Sequence, residues 1–345
     1  GTMAVDEIVQ AVEETISGRR AEHYRDINAA PVYGKKRTLP TGGHYAYLKI
    51  AEGCDKHCTY CIIPKVRGGY RSIPMESLVE EAEELAKAGV RELILVAQET
   101  TLYGLDLYGK KSLSALLKKL AAIPDIYWIR LLYCYPEEID GELIAVMKTE
   151  PKICHYLDIP IQHASDTVLR RMGRRTTKAD LQAVIGRLRR EIPDICLRTT
   201  LISGFPGETE EEHEALCLFV KEMAFDRLGV FPYSQEEDTP AALMEGQVAD
   251  EVKRERRGEL MALQQEIAFA KAENMVGRTL TVMIEGKVAD EDVYVARTYR
   301  DAPEVDGYLF LASDAAFMSG DFVKVRVTGS NEYDLIGEIE DEFTE

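Results

Sequence analysis

The chain has 345 residues, room for two domains, and carries 60 acidic against 42 basic side chains for a formal net charge of −18. A field of that sign repels phosphate backbones unless a local basic patch overrides it, and it favours a cationic partner. No apolar run approaches the roughly 20 residues of a membrane span, and the start, Gly1-Thr2-Met3-Ala4, lacks the basic-then-apolar pattern of a signal peptide, so a cytoplasmic setting is expected.

Residues 1–43 read as an expression-vector scar, a short helix Val5–Ile16 and a polar connector. The helix has nothing of its own to pack on and is expected to be the closing helix of a removed domain. Residues 44–234 then alternate between two periods. Strands are expected at Tyr45–Ala51, Glu92–Ala97, Tyr127–Tyr133, Tyr156–Ile161, Cys196–Ser203 and Arg227–Tyr233, several of them dense in β-branched or aromatic residues. Between them run helical stripes such as Leu113, Leu116, Leu117 and Leu120, or Leu181, Val184, Ile185 and Leu188. Six strand–helix units of about 31 residues each match the unit length of an eight-fold barrel. The fold class is therefore α/β, an incomplete six-stranded (β/α)6 barrel, with its site where strand C-termini feed into loops.

Residues 235–275 read as an acidic link and an amphipathic helix, roughly Ala249–Glu273. Its basic run Lys253–Arg257 is read as a solvated face. From 276 to 345 the period drops to two, as in Val323, Val325 and Val327 alternating with Lys324 and Arg326. Turns such as Asp306-Gly307 complete the signature of a small all-β, OB-like barrel.

Directly after the first strand comes Cys54-x3-Cys58-x2-Cys61. Three thiolates can grip three corners of a four-iron, four-sulfur cluster and leave the fourth iron without a protein ligand. Zinc held by these cysteines and His57 is the competing reading, but adjacent His57 and Cys58 chelate poorly and no second cysteine knuckle exists. Cys134, Cys154, Cys196 and Cys217 each lie in apolar stretches and read as buried free thiols. An open iron suits a chelating amine and carboxylate, which S-adenosylmethionine offers on its methionine end; the protein's part is to fix geometry and exclude water.

With Tyr60 just before the last cysteine, this loop resembles that of the radical S-adenosylmethionine superfamily. The resemblance implies that Tyr60 sits beside the adenine. It implies a role near the methionine amine for Gln98 and Glu99, where the superfamily often has Gly-Gly-Glu. It marks Gly204 in the stretch flanking the adenine, Arg198 for the methionine carboxylate (an internal ion pair being the alternative) and Gln162 for the ribose. The remaining motifs, Ile63-Pro64-x-x-Arg67-Gly68, Asp158-x-Pro-x-Gln162, Arg170-Arg171-Met172-Gly173-Arg174 and Gly204-Phe-Pro-Gly-Glu208, look like the methylthiotransferases, and the C-terminal barrel looks like their TRAM domain.

That family has two branches, one acting on adenosine in transfer RNA (MiaB-like) and one, the RimO type, on an aspartate of a small-subunit ribosomal protein. From Gly277 to Glu345 there are six basic and sixteen acidic residues, a balance of −10, unsuited to RNA and suited to a basic ribosomal protein. Ala97–Gly104, Phe231–Thr239 and Arg300–Gly307 also resemble the RimO type. The resemblance implies one cluster at Cys54, Cys58 and Cys61, S-adenosylmethionine, an external reductant, no membrane and no direct RNA contact. It also implies a second cluster in an N-terminal domain that this chain is expected to lack, leaving it short of full methylthiolation.

Overall fold

The computed structural model describes residues 2–30, 33, 39 and 43–340. Residue 1, the stretch 31–42 of the expected polar connector apart from 33 and 39, and the last five residues lie outside the described residues. Six strands form one parallel sheet in chain order: β1 (Tyr45–Lys49), β2 (Glu92–Val96), β3 (Trp128–Leu131), β4 (Ile153–Asp158), β5 (Cys196–Ser203) and β6 (Arg227–Pro232). Five helices cover it: α1 (Met75–Lys87), α2 (Leu113–Ala121), α3 (Gly141–Thr149), α4 (Lys178–Glu191) and α5 (Glu210–Met223). The edges β1 and β6 do not pair, so the barrel stays open on one side.

The two-residue period of the strands divides the chemistry. Ala46, Leu48, Leu93, Leu95, Leu131 and Leu197 face outward and join Leu78, Leu117, Ile185 and Phe219 of the helices in one core. The opposite face is polar, with Glu92, Arg130, Tyr156, Asp158, Arg198 and Arg227 on it. Helix starts are fixed locally. Thr177 with Asp180, and Thr209 with Glu212, close reciprocal capping boxes at α4 and α5.

Three expectations need correcting. The fourth strand runs Ile153–Asp158 rather than Tyr156–Ile161, because Pro160 has no N–H to give a ladder; Ile159–Ile161 continue beyond it as an irregular segment. The basic run on the long helix α6 (Asp250–Glu273) is only partly solvated: Arg254 and Arg257 are exposed as expected, whereas Lys253 and Arg256 are each only 6 % exposed. Arg256 donates to Glu208 at 3.0 Å and Glu210 at 3.0 Å, and the Lys253 ammonium lies 5.3 Å from the Tyr233 ring centre. These partners sit 20 or more residues away along the chain, beyond the reach of helical periodicity. Cys217, expected to be buried, is half-buried, beside His213; Cys134, Cys154 and Cys196 are buried free thiols. The helix Ile8–Ile16 buries no residue.

The C-terminal strands β7 (Thr279–Lys287), β8 (Val293–Thr298), β9 (Leu309–Ala312), β10 (Phe322–Asn331) and β11 (Asp334–Ile339) close into a barrel, in the order β8-β9-β11-β10-β7. Its core holds Val282, Ile284, Leu309, Leu311 and Val325. This small barrel seals the N-terminal mouth of the large one. Met283, Ala302 and Phe322 pack on Trp128, Cys154, Tyr156 and Cys196, with Phe322 edge-on to Trp128 at 4.9 Å. Beside this contact Glu92, fully buried, accepts from Arg130 at 2.7 Å and Arg297 at 2.6 Å. Asp226 accepts from Arg300 at 2.8 Å and Lys271 at 2.9 Å.

Candidate active site

With the N-terminal mouth sealed, the C-terminal mouth is where chemistry can happen. Beyond β1, Ala51–Glu52 pair antiparallel with Arg71–Ser72 and clip the base of a loop. Gly53 opens that loop at φ +80°, and a Cβ there would lie 2.0 Å from the Gly69 carbonyl oxygen, so only glycine fits. Its N–H donates to Gln98 Oε1 at 2.8 Å, while Cys54 N–H donates to Gly68 O at 3.2 Å and Cys61 N–H to Cys58 O at 3.0 Å. Thr59 docks the loop on the arginine-rich segment, its N–H meeting Met172 O at 2.9 Å and its hydroxyl Arg171 O at 2.8 Å.

Cys54 and Cys58 are buried and Cys61 is half-buried. Cys54 and Cys61 line a cavity of about 650 Å³ together with Tyr47, Lys49 and Gln98. Burial pushes the Cys54 thiol up to about 11 and raises that of Cys61. A bound cation would reverse this, since coordination draws off the proton. Among the described residues, the trio of His, Cys, Asp or Glu whose donor atoms converge within 4.8 Å is His213, Cys217 and Glu259, not the three loop cysteines. The loop is therefore not shaped around one ion such as zinc, and its spread thiols suit a multinuclear cluster.

Nearby charges fit an anionic group. Arg174 is buried, lies 4.3 Å from the Tyr135 ring centre and donates to Pro160 O at 3.0 Å, yet its Nε and Nη1 have no partner. Tyr135 Oη is 3.8 Å from Cys58 Sγ. Lys56 follows Cys54 by two residues; its ammonium is 2.6 Å from Glu138 and 3.7 Å from Glu99. Arg174 and Tyr135 were not singled out from sequence as site residues. Arg174 closes a motif that was quoted, but nothing in the sequence places it over a tyrosine 39 positions earlier.

The expected cofactor contacts fall into two groups. Tyr60 lines a second cavity of about 320 Å³ with Cys61, Ile202, Phe231 and Tyr233 and meets Phe205 edge-on at 6.4 Å. Burial holds its hydroxyl well above the ordinary tyrosine range. Glu99 is fully buried, and burial lifts its carboxyl to about 7 against the lowering effect of the Thr101 hydrogen bond. Its Oε1 accepts from Thr101, while Oε2 has no hydrogen-bond partner. Gln98 lines the larger cavity but spends its oxygen on Gly53.

The other three lie elsewhere. Arg198 is held by Asp158 at 2.9 Å and Asp306 at 3.6 Å, the internal ion pair. Gly204, at φ +70°, faces Lys253, where a Cβ would lie 2.3 Å from Cγ. Gln162, at φ +70°, joins β5 through its backbone, Gln162 N–H to Thr200 O at 2.9 Å. Gln162 and Gly204 line neither of the two cavities.

Comparison with known proteins agrees with this architecture. A family profile for the radical SAM superfamily matches residues 48–220, and one for the TRAM domain matches residues 276–339. A ribosomal protein uS12 methylthiotransferase RimO of Lachnoclostridium phytofermentans is 60% identical over 340 residues, 99% of this chain and 77% of that protein. The RimO proteins of Desulfitobacterium hafniense and Acetivibrio thermocellus are 50% and 47% identical, over 98% of this chain and 76% of theirs. No described helix is long and apolar enough to cross a membrane. A partial six-stranded parallel barrel with a three-cysteine loop at its mouth, a five-stranded TRAM barrel behind it, and this degree of identity place the chain in the RimO-type branch of the radical S-adenosylmethionine methylthiotransferases, enzymes that work with a four-iron, four-sulfur cluster and S-adenosylmethionine.

Proposed function

We propose that this chain directs radical chemistry at the β-carbon of an aspartate of ribosomal protein uS12, the polypeptide that its relatives' names carry, the position at which the family places its methylthio group. The observation that carries the reading is the cavity beside Cys54 and Cys61 at the only mouth of the barrel that the TRAM domain leaves open. Cys54, Cys58 and Cys61 would hold one cluster. When bound, that cluster and S-adenosylmethionine supply a carbon-centred radical able to attack an unactivated C–H bond.

The chain's own groups bind and orient. Tyr60 offers an aromatic edge and a neutral hydroxyl to the cofactor's adenosine end, and the unpartnered oxygen of Glu99 is an acceptor for its ammonium group. The unpartnered nitrogens of Arg174, with Lys56, set positive charge against an anionic cluster. Apolar Ile202, Phe231 and Val96 keep water from the reacting centre. The TRAM domain supports a basic protein partner. Of its six basic residues, Arg297 and Arg300 are used inside the interdomain contact, as are the acidic Asp301 and Asp306, so its outer surface keeps the acidic balance of its composition.

Anaerobic reconstitution with iron and sulfide, chemical reduction and chromatography for 5′-deoxyadenosine test the reading. About four irons per chain are expected, with deoxyadenosine formed and uS12 as the accepted polypeptide. Absence of deoxyadenosine overturns the enzymatic reading, and turnover on an anticodon stem-loop in place of uS12 overturns the substrate.

A further inference from the structure

The segment Arg300–Gly307 belongs to the TRAM domain by sequence, yet it enters the lumen of the large barrel. It is anchored at both ends. The Arg300 guanidinium donates to Asp226 at 2.8 Å. The Asp301 carboxylate accepts from the Thr298 hydroxyl at 2.6 Å and pairs with Arg227. Asp306 accepts from the Tyr156 hydroxyl at 2.8 Å and from Ala302 N–H at 2.9 Å, with Arg198 at 3.6 Å.

Between these anchors two exposed side chains belong to none of the buried ion pairs. Glu304 is exposed and sits at φ +63°, the left-handed region that a non-glycine residue occupies at a cost. Its carboxylate is 3.5 Å from the Tyr45 hydroxyl. Val305 is 54 % exposed. It lines the 650 Å³ cavity of Cys54 and Cys61, and also a second cavity of about 440 Å³ on the open side, walled by Gly229 of β6 and Met261 and Gln264 of α6. It is the one residue common to both. A heavily anchored loop that ends in an apolar side chain with nothing against it, at the junction of two cavities, is built to meet something that arrives later.

We propose that Val305 and Glu304 determine substrate specificity: Val305 packs on the polypeptide segment that passes from the side cavity toward the cysteine cavity, and Glu304 pairs with a cationic side chain flanking that segment. The inference rests on the reading that the substrate is a basic polypeptide, uS12. It makes the TRAM domain part of the reaction cavity and not only an outer grip.

The test uses the reconstituted chain and a fluorescent peptide of uS12 spanning the target aspartate. Variants are Val305→Trp, Val305→Ala, Glu304→Gln and, on the TRAM exterior, Asp314→Asn. Val305→Trp should weaken peptide binding about tenfold or more, and Val305→Ala a few-fold, with the thermal midpoint unmoved because the site is exposed. Glu304→Gln should weaken it about three- to tenfold, and the loss should vanish at high salt and with a peptide whose neighbouring Lys and Arg are replaced by Ala. Asp314→Asn should bind as the parent chain does. Parental affinity in both Val305→Trp and Glu304→Gln overturns the inference while leaving the uS12 reading intact, as does an equal loss in Asp314→Asn, which would reveal only a general field. A parent chain that binds an anticodon stem-loop and ignores the peptide overturns the substrate reading, and the inference with it.

Discussion

The two mouths of the large barrel are lined with the same kinds of residue and differ in what they leave unfinished. At the N-terminal mouth every buried carboxylate has its cation: Glu92 has Arg130 and Arg297, Asp226 has Arg300 and Lys271, and Asp301 has Arg227. Among the described residues, single nitrogens are left over there: His44 Nδ1, Arg130 Nη2 and Arg227 Nε. At the C-terminal mouth the leftover atoms include a carboxylate oxygen and two nitrogens of one guanidinium: Glu99 Oε2, Arg174 Nε and Nη1, and His163 Nε2 are buried without hydrogen-bond partners. An unpartnered buried polar atom costs about 1–3 kcal/mol, so a protein keeps several together where a ligand completes them. Low dielectric thus makes one mouth a joint and the other a receptor.

The sharpest way to break that contrast is to remove one group from each end. Cys54→Ala should abolish cluster loading and deoxyadenosine formation, measured by iron content, electron paramagnetic resonance and chromatography. It should change the stability of the metal-free chain by less than about 1.5 kcal/mol in urea, because the thiol's partners are a loop backbone and a cavity. Glu92→Ala should do the reverse. It strands two buried guanidinium groups and should cost about 3–5 kcal/mol in urea unfolding. A loss no larger than that of a surface carboxylate would show that the joint is held by Phe322, Trp128 and their neighbours alone.

The receptor end was more legible in sequence than the joint, for a physical reason. Cys54, Cys58 and Cys61 lie within eight residues, so their spacing alone limits what they can hold, and Gly53 before them marks the turn. The six strands were legible because periods of two and of about 3.6 are local. What failed to show depended on partners distant in sequence. Lys253 and Arg256 looked solvated because Glu208 and Tyr233 are invisible to a helical wheel. Arg198 stood between the methionine carboxylate and an internal ion pair until Asp158 and Asp306 were placed beside it. The entry of Val305 into the lumen required knowing that the small barrel docks at the strands' N-termini, and no local pattern carries that.

Glu99 measures the cost of keeping the receptor empty. Its carboxyl is lifted to about 7 by burial from an ordinary 4.5. Between those values the unfolded chain has given up a proton that the folded chain retains. Stability therefore falls as pH rises from 4.5 to 7 and stays low above it, by about 3 kcal/mol at most. Glu99→Gln should remove this slope, raise the urea midpoint of the metal-free chain at pH 8 more than at pH 5, and weaken S-adenosylmethionine binding by the loss of a carboxylate partner. An unchanged pH dependence would mean that Lys56, 3.7 Å away, already keeps the group ionised.

Over the single pH unit tested, His163 gives the smallest effect, with the opposite sign. Burial first, then the positive charges of His213 and Arg256, depress it to about 3 from an ordinary 6.5, and its Nδ1 accepts from Ser165 N–H at 2.9 Å. Below pH 6.5 the unfolded chain takes up a proton that the folded chain refuses. Stability should then fall with acid by about 1.4 kcal/mol per pH unit from this group alone. His163→Asn keeps an acceptor for Ser165 and does not titrate, so urea midpoints at pH 6.5 and 5.5 should draw together by that amount after the parent chain's other acid losses are subtracted. If they do not, Glu208, whose carboxylate is 3.7 Å from His163 Nε2, pairs with a protonated imidazole, and this corner of the C-terminal mouth is a joint like the other end.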